Sequence, residues 1–290
     1  MEVVMKTFRT IVMVAAFALA AAACGGVGDG GAGGGSDESI DHPTGPDEVV
    51  LRVALEGGFV PVEVNLARIP GWTLYGDGTV IVEGPQIEIY PPPALPNLLA
   101  SRISEEGIQA ILRAARDAGL MDGDASYDYP CITDVPTTVF TTSAGGATSV
   151  VSAYAIDASG MCPDVDEDAR AALRDFVMEL GNLASWLPEG AVGAEEPYVP
   201  SELRLYVSEY QPDPNLPQET VEWPLETPMT SPDKPGDRTT EDLSCFVLTG
   251  SDVDVLLPGL RQANTLTPWQ SEGVDHRLIV RPLLPDEHGC

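Results

Sequence analysis

The sequence predicts an α+β fold in which antiparallel β-sheets are each packed by one or two helices, with two similar units in tandem. Short runs rich in β-branched residues alternate with glycine-containing turns, which is typical of antiparallel strands. Other segments carry apolar residues at helical spacing. A stretch rich in proline, glycine and glutamate at 187–200 predicts a linker between a first domain at 48–186 and a second at 201–290.

The N-terminus has the pattern of an export signal. Lys6 and Arg9 precede an uncharged run, and small residues then lead directly to Cys24. About 13 apolar residues are too few for a membrane-spanning helix, which needs ~20. The pattern therefore predicts a signal peptide at 1–23 and lipid attachment at Cys24. The alternative is an ordinary signal peptide whose cleavage site falls beside a cysteine.

The residues after Cys24 are predicted to form a flexible glycine-rich tether that ends at residue 47. This stretch contains almost nothing apolar, so it cannot compensate for the entropy of ordering itself. A coil of this length spans ~25 Å, which would hold the folded part close to the extracytoplasmic face of the cell membrane. Because His42 falls in this stretch, we expect no catalytic role for it.

The charge balance limits the partners. The chain has 15 Lys and Arg against 45 Asp and Glu, a formal net charge of −30. Such a field repels nucleic acid and anionic lipid headgroups. Solubility of an exported protein explains the excess acid, and a preference for cationic ligands or divalent metal is the alternative.

The cysteines predict two disulfides. If Cys24 is lipidated, four cysteines remain for an oxidising compartment, and these can pair in three ways. We predict the pairs Cys131–Cys162 and Cys245–Cys290, because each closes a loop within one half of the chain. A zinc site is disfavoured, since no CxxC pair is present and the chain has only three histidines.

The first half is predicted to contain strands, two hairpins and two helices. Strands are expected at 49–55, 59–66 and 86–90, hairpins at 72–82 and 135–156, and helices at 103–119 and 166–183. Asp77 and Gly78 suit the tight turn of the first hairpin, and Ser104 is the expected N-cap of the first helix. The prolines at 91–96 are interpreted as a stiff crossover, with an exposed polyproline ligand as the alternative.

The second half repeats a similar order of elements. Strands are expected at 203–210, 219–225, 245–248 and 276–284, a long exposed loop at 226–242, and a helix after residue 250. Ser251 and Asp254 match a capping box, and Pro258 is expected to kink or split that helix. The shared order of strands, helix and cysteine pair raises the hypothesis of an internal duplication.

No catalytic constellation is visible in the sequence. His276 and His288 are the bases of the folded part that titrate near neutrality, and no GxSxG, HExxH, phosphate-binding or dinucleotide motif occurs. We therefore assign no catalytic residue, cofactor or metal ligand. The acidic run 164–168 lacks the glycine and twelfth-position glutamate of a calcium loop and is interpreted as a helix N-terminus. Tryptophans beside glycine or proline, Trp72, Trp223 and Trp269, either cap the core or line a recognition groove.

Three segments carry a family resemblance: GWTLYGDGTVIVEG, ISEEGIQAILRAARDAGLMD and TDVPTTVF. They resemble an actinobacterial lipoprotein family with a YGDG-hairpin domain of unknown function. The C-terminal segment LTPWQSEGVDHRLIVRPLLPDEHGC resembles the end of the same lipoproteins. The resemblance implies an α+β fold and an envelope location, and it transfers no activity and no functional residue.

The leading hypothesis is an exported, membrane-anchored lipoprotein that acts as a non-enzymatic binding or interaction module at the cell envelope. Its partners would be the lipid bilayer, through Cys24, and an envelope protein or ligand not identified by the sequence. An envelope hydrolase using a carboxylate pair is the second hypothesis, and it requires two acids with raised pKa values in one pocket. The third is an inhibitor-like scaffold that presents the loop 226–242.

Overall fold

The computed structural model describes residues 39–229, 237–240 and 243–290. Ser39–Cys290 form one compact unit that contains two β-sheets, one of eight strands and one of six. The sheets are rich in antiparallel pairs and few helices pack on them, so the predicted α+β class is confirmed. The predicted signal peptide, Cys24 and the tether up to residue 38 lie outside the described residues.

The first sheet contains the strands β1 to β8. They are β1 Val49–Gly57, β2 Trp72–Tyr75, β3 Thr79–Glu83, β4 Leu98–Arg102, β5 Ala125–Tyr127, β6 Pro136–Ala144, β7 Ala147–Tyr154 and β8 Glu196–Pro197. Their spatial order is β5-β7-β6-β1-β2-β3-β4-β8. The neighbours pair antiparallel except β5 and β7, which are parallel. The predicted hairpins β2–β3 and β6–β7 are both confirmed.

The second sheet contains the strands β9 to β14. They are β9 Glu202–Glu209, β10 Val221–Glu222, β11 Asp237–Thr240, β12 Leu243–Thr249, β13 Pro268–Ser271 and β14 Val274–Pro282. Their order is β10-β13-β14-β9-β12-β11, with only β10 and β13 parallel. Both sheets thus have a parallel edge strand beside a hairpin. The two hairpins differ, however, in which of their strands pairs with the rest of the sheet. In the first sheet the first hairpin strand, β6, pairs with β1, whereas in the second sheet the second hairpin strand, β14, pairs with β9.

The described residues form four α-helices beside the sheets: α1 Val62–Ala67, α2 Glu105–Asp117, α3 Glu167–Leu180 and α4 Ser251–Leu260. Side-chain caps start two of them: the hydroxyl of Ser104, the predicted N-cap of α2, accepts a hydrogen bond from the Gly107 amide, and Asp166 accepts one from the Ala169 amide. The acidic run before α3 is therefore a helix N-terminus. Among the residues that the structure describes, no helix has the length and apolar character that crossing a membrane requires.

The helices bury one face of each sheet. Ile111 and Leu112 of α2, with Leu173 of α3, pack on Phe140 of the first sheet. In the second sheet, α4 packs on β9, β12 and β14 around the buried Trp269. The opposite sheet faces are covered as well: Tyr75 and Ile81 contact Leu284, while Tyr206 and Ile279 contact Leu66 of α1.

Two predicted strands are wrong. Residues 59–66 do not extend β1, because Gly57 and Gly58 have φ angles of 67° and 84° and turn the chain into helix α1. Residues 86–90 pair with no strand of the described part, and the Ile89 amide bonds the Ile87 carbonyl two residues back in a tight turn. Strands β4, β5 and β13 and the short β11 inside the predicted loop 226–242 were not foreseen.

The predicted capping box of the fourth helix is also wrong. Helix α4 begins at Ser251, so the N-cap is Gly250, whose carbonyl accepts hydrogen bonds from Val253 and Asp254. Gly250 has a φ of 57°, a conformation that glycine adopts without cost. Pro258 does not split the helix, which continues to Leu260.

Both predicted disulfides are present, joining Cys131 to Cys162 and Cys245 to Cys290. The first joins the chain before β6 to the chain after β7. The second ties the C-terminal residue to β12. Together with Asp286, which bonds the first sheet, the second disulfide makes the tail a link between the two sheets.

The folded chain starts earlier than the sequence indicated. The tether was expected to reach residue 47, but Ile40 is buried in the first core and Gln109 bonds both its amide and its carbonyl. A single isoleucine in a polar, glycine-rich context gives no periodic signal, which explains the misplaced boundary. At the other boundary, residues 187–200 are not a free linker, since Glu196 and Pro197 form β8 on the edge of the first sheet.

Candidate functional site: a proline-walled groove

A groove of about 330 Å³ opens where the two sheets meet. Residues from β4, the segment after β3, the chain around β8, helix α4 and the end of β14 line it. Its lining comprises six prolines, five aliphatic residues, three polar residues and a single charged residue, Arg261. The volume falls at the small end of the ~300–1,000 Å³ typical of ligand sites. We call this feature the proline groove.

One wall is the loop between β3 and β4, which two amide side chains close at its base. Gln86 accepts a hydrogen bond from the Asn97 amide at 3.0 Å and donates one to the Asn97 carbonyl at 3.0 Å. The Asn97 side chain donates in turn to the Pro85 carbonyl at 3.1 Å. These bonds hold residues 85 and 97 together, so the chain between them projects as a closed loop.

The far part of this loop is anchored on the second half of the chain. The Ala94 amide donates to the Ala263 carbonyl at 3.0 Å, and the Thr265 amide donates to the Pro92 carbonyl at 2.9 Å. Ala94 and Leu95 also pack against the second core. Prolines 91–96 were interpreted as a crossover to the next helix, and they are in fact a bridge from the first sheet to the exit of α4.

Tyr198 forms the inner part of the groove. Its hydroxyl donates to the Leu283 carbonyl at 2.9 Å, and its amide donates to Leu98 of β4. Burial, and then the nearby carboxylates of Glu287 and Asp286, raise the pKa of Tyr198 to about 12. The phenol therefore stays protonated and continues to donate this bond at any ordinary pH.

A polar cluster in the C-terminal tail fixes the tail on the first sheet. Asp286 accepts hydrogen bonds from Arg52 at 2.6 Å and from the Tyr75 hydroxyl at 2.7 Å. Burial alone would raise the pKa of Asp286, but these two bonds and the positive charge of Arg52 lower it below its ordinary value. Nearby, Glu287 receives a bidentate pair from Arg281 at 2.9 and 2.6 Å. The cluster is satisfied internally, and its geometry indicates a structural role.

The rim of the proline groove exposes unusually large apolar side chains. Ile87 is 65% exposed, Ile89 is 58% and Tyr90 is 77%. These three side chains lie within four consecutive residues, and we call them the rim patch. Contiguous exposed apolar surface beside a groove marks an interaction site more often than isolated exposed side chains do.

The tryptophans do not form the recognition groove that the sequence allowed. Trp72, Trp223 and Trp269 are all buried, and the two last rings pack edge to face with centroids 6.2 Å apart. They therefore cap the cores. The groove is built by proline and aliphatic residues instead, and the only sequence signals for it were the Pro91–Pro96 run and the β-branched Ile87 and Ile89.

The histidines show no catalytic arrangement. His276 is buried within β14, and that burial lowers its pKa. The Nδ1 atom of His288, in the C-terminal tail, lies 3.3 Å from the Oε1 atom of Glu202 in β9. His42, placed in the tether by the sequence, instead contacts Glu105 of α2 at 3.2 Å. Across the described ranges, no group of three or more His, Cys, Asp or Glu side chains is placed to hold a metal ion.

The carboxylates also differ from what a glycosidase-type pair requires. Wherever the described carboxyl groups have a shifted pKa, the shift is downward; this holds for Asp77, Glu105 and Asp286. None of the three lines the proline groove, whose lining contains no acid. A general acid needs a raised pKa, so these groups do not match that role.

No family model matches this chain, and no curated protein and no solved structure is significantly similar to it.

Proposed function

We propose that this chain is a non-enzymatic binding module of the cell envelope and that the proline groove with its rim patch is its binding site. The observation that carries the proposal is the juxtaposition of a preformed, nearly uncharged groove with the exposed side chains of Ile87, Ile89 and Tyr90. Apolar surface of this kind gains free energy when a partner covers it.

The walls of the groove favour an extended peptide as the occupant. Proline has no amide hydrogen, so six lining prolines leave the walls rich in carbonyl acceptors and poor in donors. An extended peptide supplies backbone N–H donors together with apolar side chains. The fixed proline rings also mean that little conformational entropy is lost in the walls on binding.

The charge around the groove favours positively charged residues on either side of the apolar part of that peptide. Glu88 lies within the rim patch and Glu196 precedes the lining residue Pro197, whereas Arg261 is the single charged lining residue. The whole chain carries a net charge of −30. We therefore assign the partner as an extended apolar segment of an envelope protein flanked by Lys or Arg, since complementary charge accelerates association and favours the correct partner.

The anchoring part of the proposal comes from the sequence. A signal peptide at 1–23 and a lipid on Cys24 would keep the module at the extracytoplasmic face of the membrane, as the resemblance to actinobacterial lipoproteins also implies. The two disulfides support this location, because such bonds persist in oxidising compartments.

Peptide binding tests the proposed site. The probe is a set of fluorescent eight-residue peptides with four central apolar residues flanked by lysines, and a matched set flanked by glutamates. We expect the lysine set to bind the full chain with micromolar Kd by fluorescence polarisation, more weakly as salt is raised. We expect the double variant Ile87→Ser and Ile89→Ser to bind at least about 10-fold more weakly, because it removes the rim patch.

The matched control is Val274→Ser, which removes a similarly exposed side chain at the first residue of β14. This variant should bind like the unaltered chain. Equal binding of the lysine and glutamate sets would overturn the assignment of a basic partner. Binding that is unaffected by the two rim substitutions, or no binding by either set, would overturn the site.

A further inference from the structure

The second feature with a functional consequence is the strap, residues 39–45, which leads from the tether into the folded unit. Gln109 of α2 holds its backbone with two hydrogen bonds to Ile40, at 2.8 and 2.9 Å. The Gly145 amide in the β6–β7 turn donates to the Asp41 carbonyl at 2.7 Å. Pro43 packs so closely on Gly76 that a Cβ there would lie 2.5 Å from the Pro43 carbonyl oxygen. The strap therefore contacts three parts of the fold, namely helix α2, the β6–β7 turn and the β2–β3 turn.

His42 lies at the centre of the strap, with its side chain only 6% exposed. Its Nδ1 is 2.6 Å from the Pro43 carbonyl oxygen, and its Nε2 is 3.2 and 3.3 Å from the two carboxylate oxygens of Glu105. A carbonyl and a carboxylate both only accept hydrogen bonds. A neutral imidazole has one N–H, so it would leave one of these acceptors facing a lone pair. The doubly protonated imidazolium satisfies both.

Several charged side chains lie on the elements that contact the strap. Glu105 is in direct contact from α2, and Glu48 at the approach to β1 accepts hydrogen bonds from the amides of Thr44 and Gly45. Asp77 lies in the β2–β3 turn against which the strap packs, where it is paired with Arg102. Asp41 belongs to the strap itself, and the β6–β7 turn contributes no charged side chain.

We propose that the strap is a pH-dependent latch, in which protonated His42 locks residues 39–45 onto α2 and loss of that proton releases them. Release separates residues 39–47 from the fold, and a stretch of this length extends by up to ~30 Å. For a chain anchored at Cys24 this would extend the reach of the proline groove from the membrane. That consequence rests on the proposed anchoring, whereas the latch itself does not.

Glu105 sets the lowest pH at which the latch holds, because its carboxylate must be ionised to pair with His42. Burial raises its pKa, but hydrogen bonds from Gln109 and His42 outweigh that effect and lower it below the ordinary value. A carboxyl group whose pKa is lower in the folded protein stabilises the fold at pH values above its pKa in the unfolded chain. This stabilisation is lost as the pH falls through the pKa of the folded protein. The carboxylate is therefore ionised at pH 5.5, where the latch is tested. Histidines in general change charge between about pH 5 and 8, which sets the upper limit.

Hydrogen exchange at the strap tests the proposal in the full chain. The amides of Ile40 and Gly145 report docking, because their acceptors are Gln109 and Asp41. After correction for intrinsic exchange rates, we expect their protection to fall about 10-fold or more from pH 5.5 to pH 8, the scale of one charge-assisted hydrogen bond. Amides of β1 should keep their protection. Equal protection of Ile40 and Gly145 at the two pH values would overturn the latch.

Two substitutions distinguish the latch from general loss of stability. His42→Gln should give low, pH-independent protection at the strap, while His288→Gln, at an exposed histidine, should behave like the unaltered chain. Glu105→Gln should abolish or reverse the pH dependence, because a glutamine amide can donate to the bare Nε2 of neutral His42. An unchanged pH profile in Glu105→Gln would overturn the pairing. Neither substitution touches the proline groove, so failure of the latch and failure of the binding site are separable.

Discussion

Asp286 is the residue through which the C-terminal tail holds the first sheet. Its carboxylate accepts from Arg52 and Tyr75, and it directly precedes Glu287, the partner of Arg281. We expect Asp286→Asn to lower the free energy of unfolding by about 2 kcal/mol at pH 7, because a charged, partly buried acceptor is lost. Asp128→Asn, at an exposed carboxylate, should change it little.

The effect of Asp286→Asn should also depend on pH. Because the folded pKa of Asp286 lies below its ordinary value, its stabilising effect is present above that value and is lost as pH falls through the folded pKa. Urea unfolding of both proteins at pH 7 and pH 3 measures this directly, and the difference between them should shrink in acid. A difference that stays constant would show that the charge of Asp286 does not contribute.

Buried polar residues were the part of the molecule least visible in the sequence. Arg170 of α3 is fully buried and donates to the carbonyls of Tyr127, Tyr154, Ala155 and Ala158. Its guanidinium also lies 4.6 Å from the ring centroid of Tyr129. Helical periodicity assigns charged residues to the exposed face, and only the folded loops supply the carbonyls that make this burial possible.

At the scale of elements, the β2–β3 hairpin is the most strongly specified unit. Its three-residue connection ends in Gly78, whose φ is 86°, and the Ile103 amide bonds the Gly78 carbonyl at 2.8 Å. A Cβ at Gly78 would overlap the carbonyl oxygen of Ile103. Gly146 in the β6–β7 turn has a similar φ of 79° and open space around it.

These two glycines form a matched pair for a stability test. We expect Gly146→Ala to cost about 1 kcal/mol, the penalty of the left-handed conformation. Gly78→Ala should cost roughly 3 kcal/mol, since steric overlap with Ile103 adds to the same penalty. Thermal or urea unfolding of both variants gives the comparison. Equal losses would mean that the Ile103 backbone moves aside without cost.

Elements with a local signal were predicted, and those that depend on a neighbour were not. Ser104 and Gly119 mark the ends of α2 within a few residues, so that helix follows from its own sequence. Residues 86–90 have the composition of a strand, but they pair with no strand among the described residues, and they carry the exposed rim patch. A strand needs a partner, and the sequence of one segment does not contain it.

At the scale of the whole molecule, the anchor is the feature to test first. We expect the full chain expressed in a bacterial host with a lipoprotein pathway to fractionate with membranes and to enter the detergent phase on phase separation. Cys24→Ala should move the protein to the soluble fraction while leaving both disulfides intact, because the proposed anchor is a lipid chain on that cysteine.

The same experiment distinguishes a lipoprotein signal from an ordinary signal peptide. An ordinary signal peptide would leave the unaltered chain soluble, and Cys24→Ala would then change nothing. Cys131→Ala, which removes a cysteine of the first disulfide, is the control, since it should leave membrane association unchanged. Loss of membrane association in both variants would point to a folding defect.

The sequence by itself determined the fold class, the two disulfides, both hairpins of the first sheet and the helices with side-chain caps. Each depends on local periodicity, turn chemistry or loop closure within one stretch of chain. Only the tertiary structure decided the proline groove, the tail cluster around Asp286 and the strap held by His42. Their parts lie up to 234 residues apart in the chain, as Arg52 and Asp286 do. No local pattern specifies contacts at such separation, because they form only when both sheets have packed.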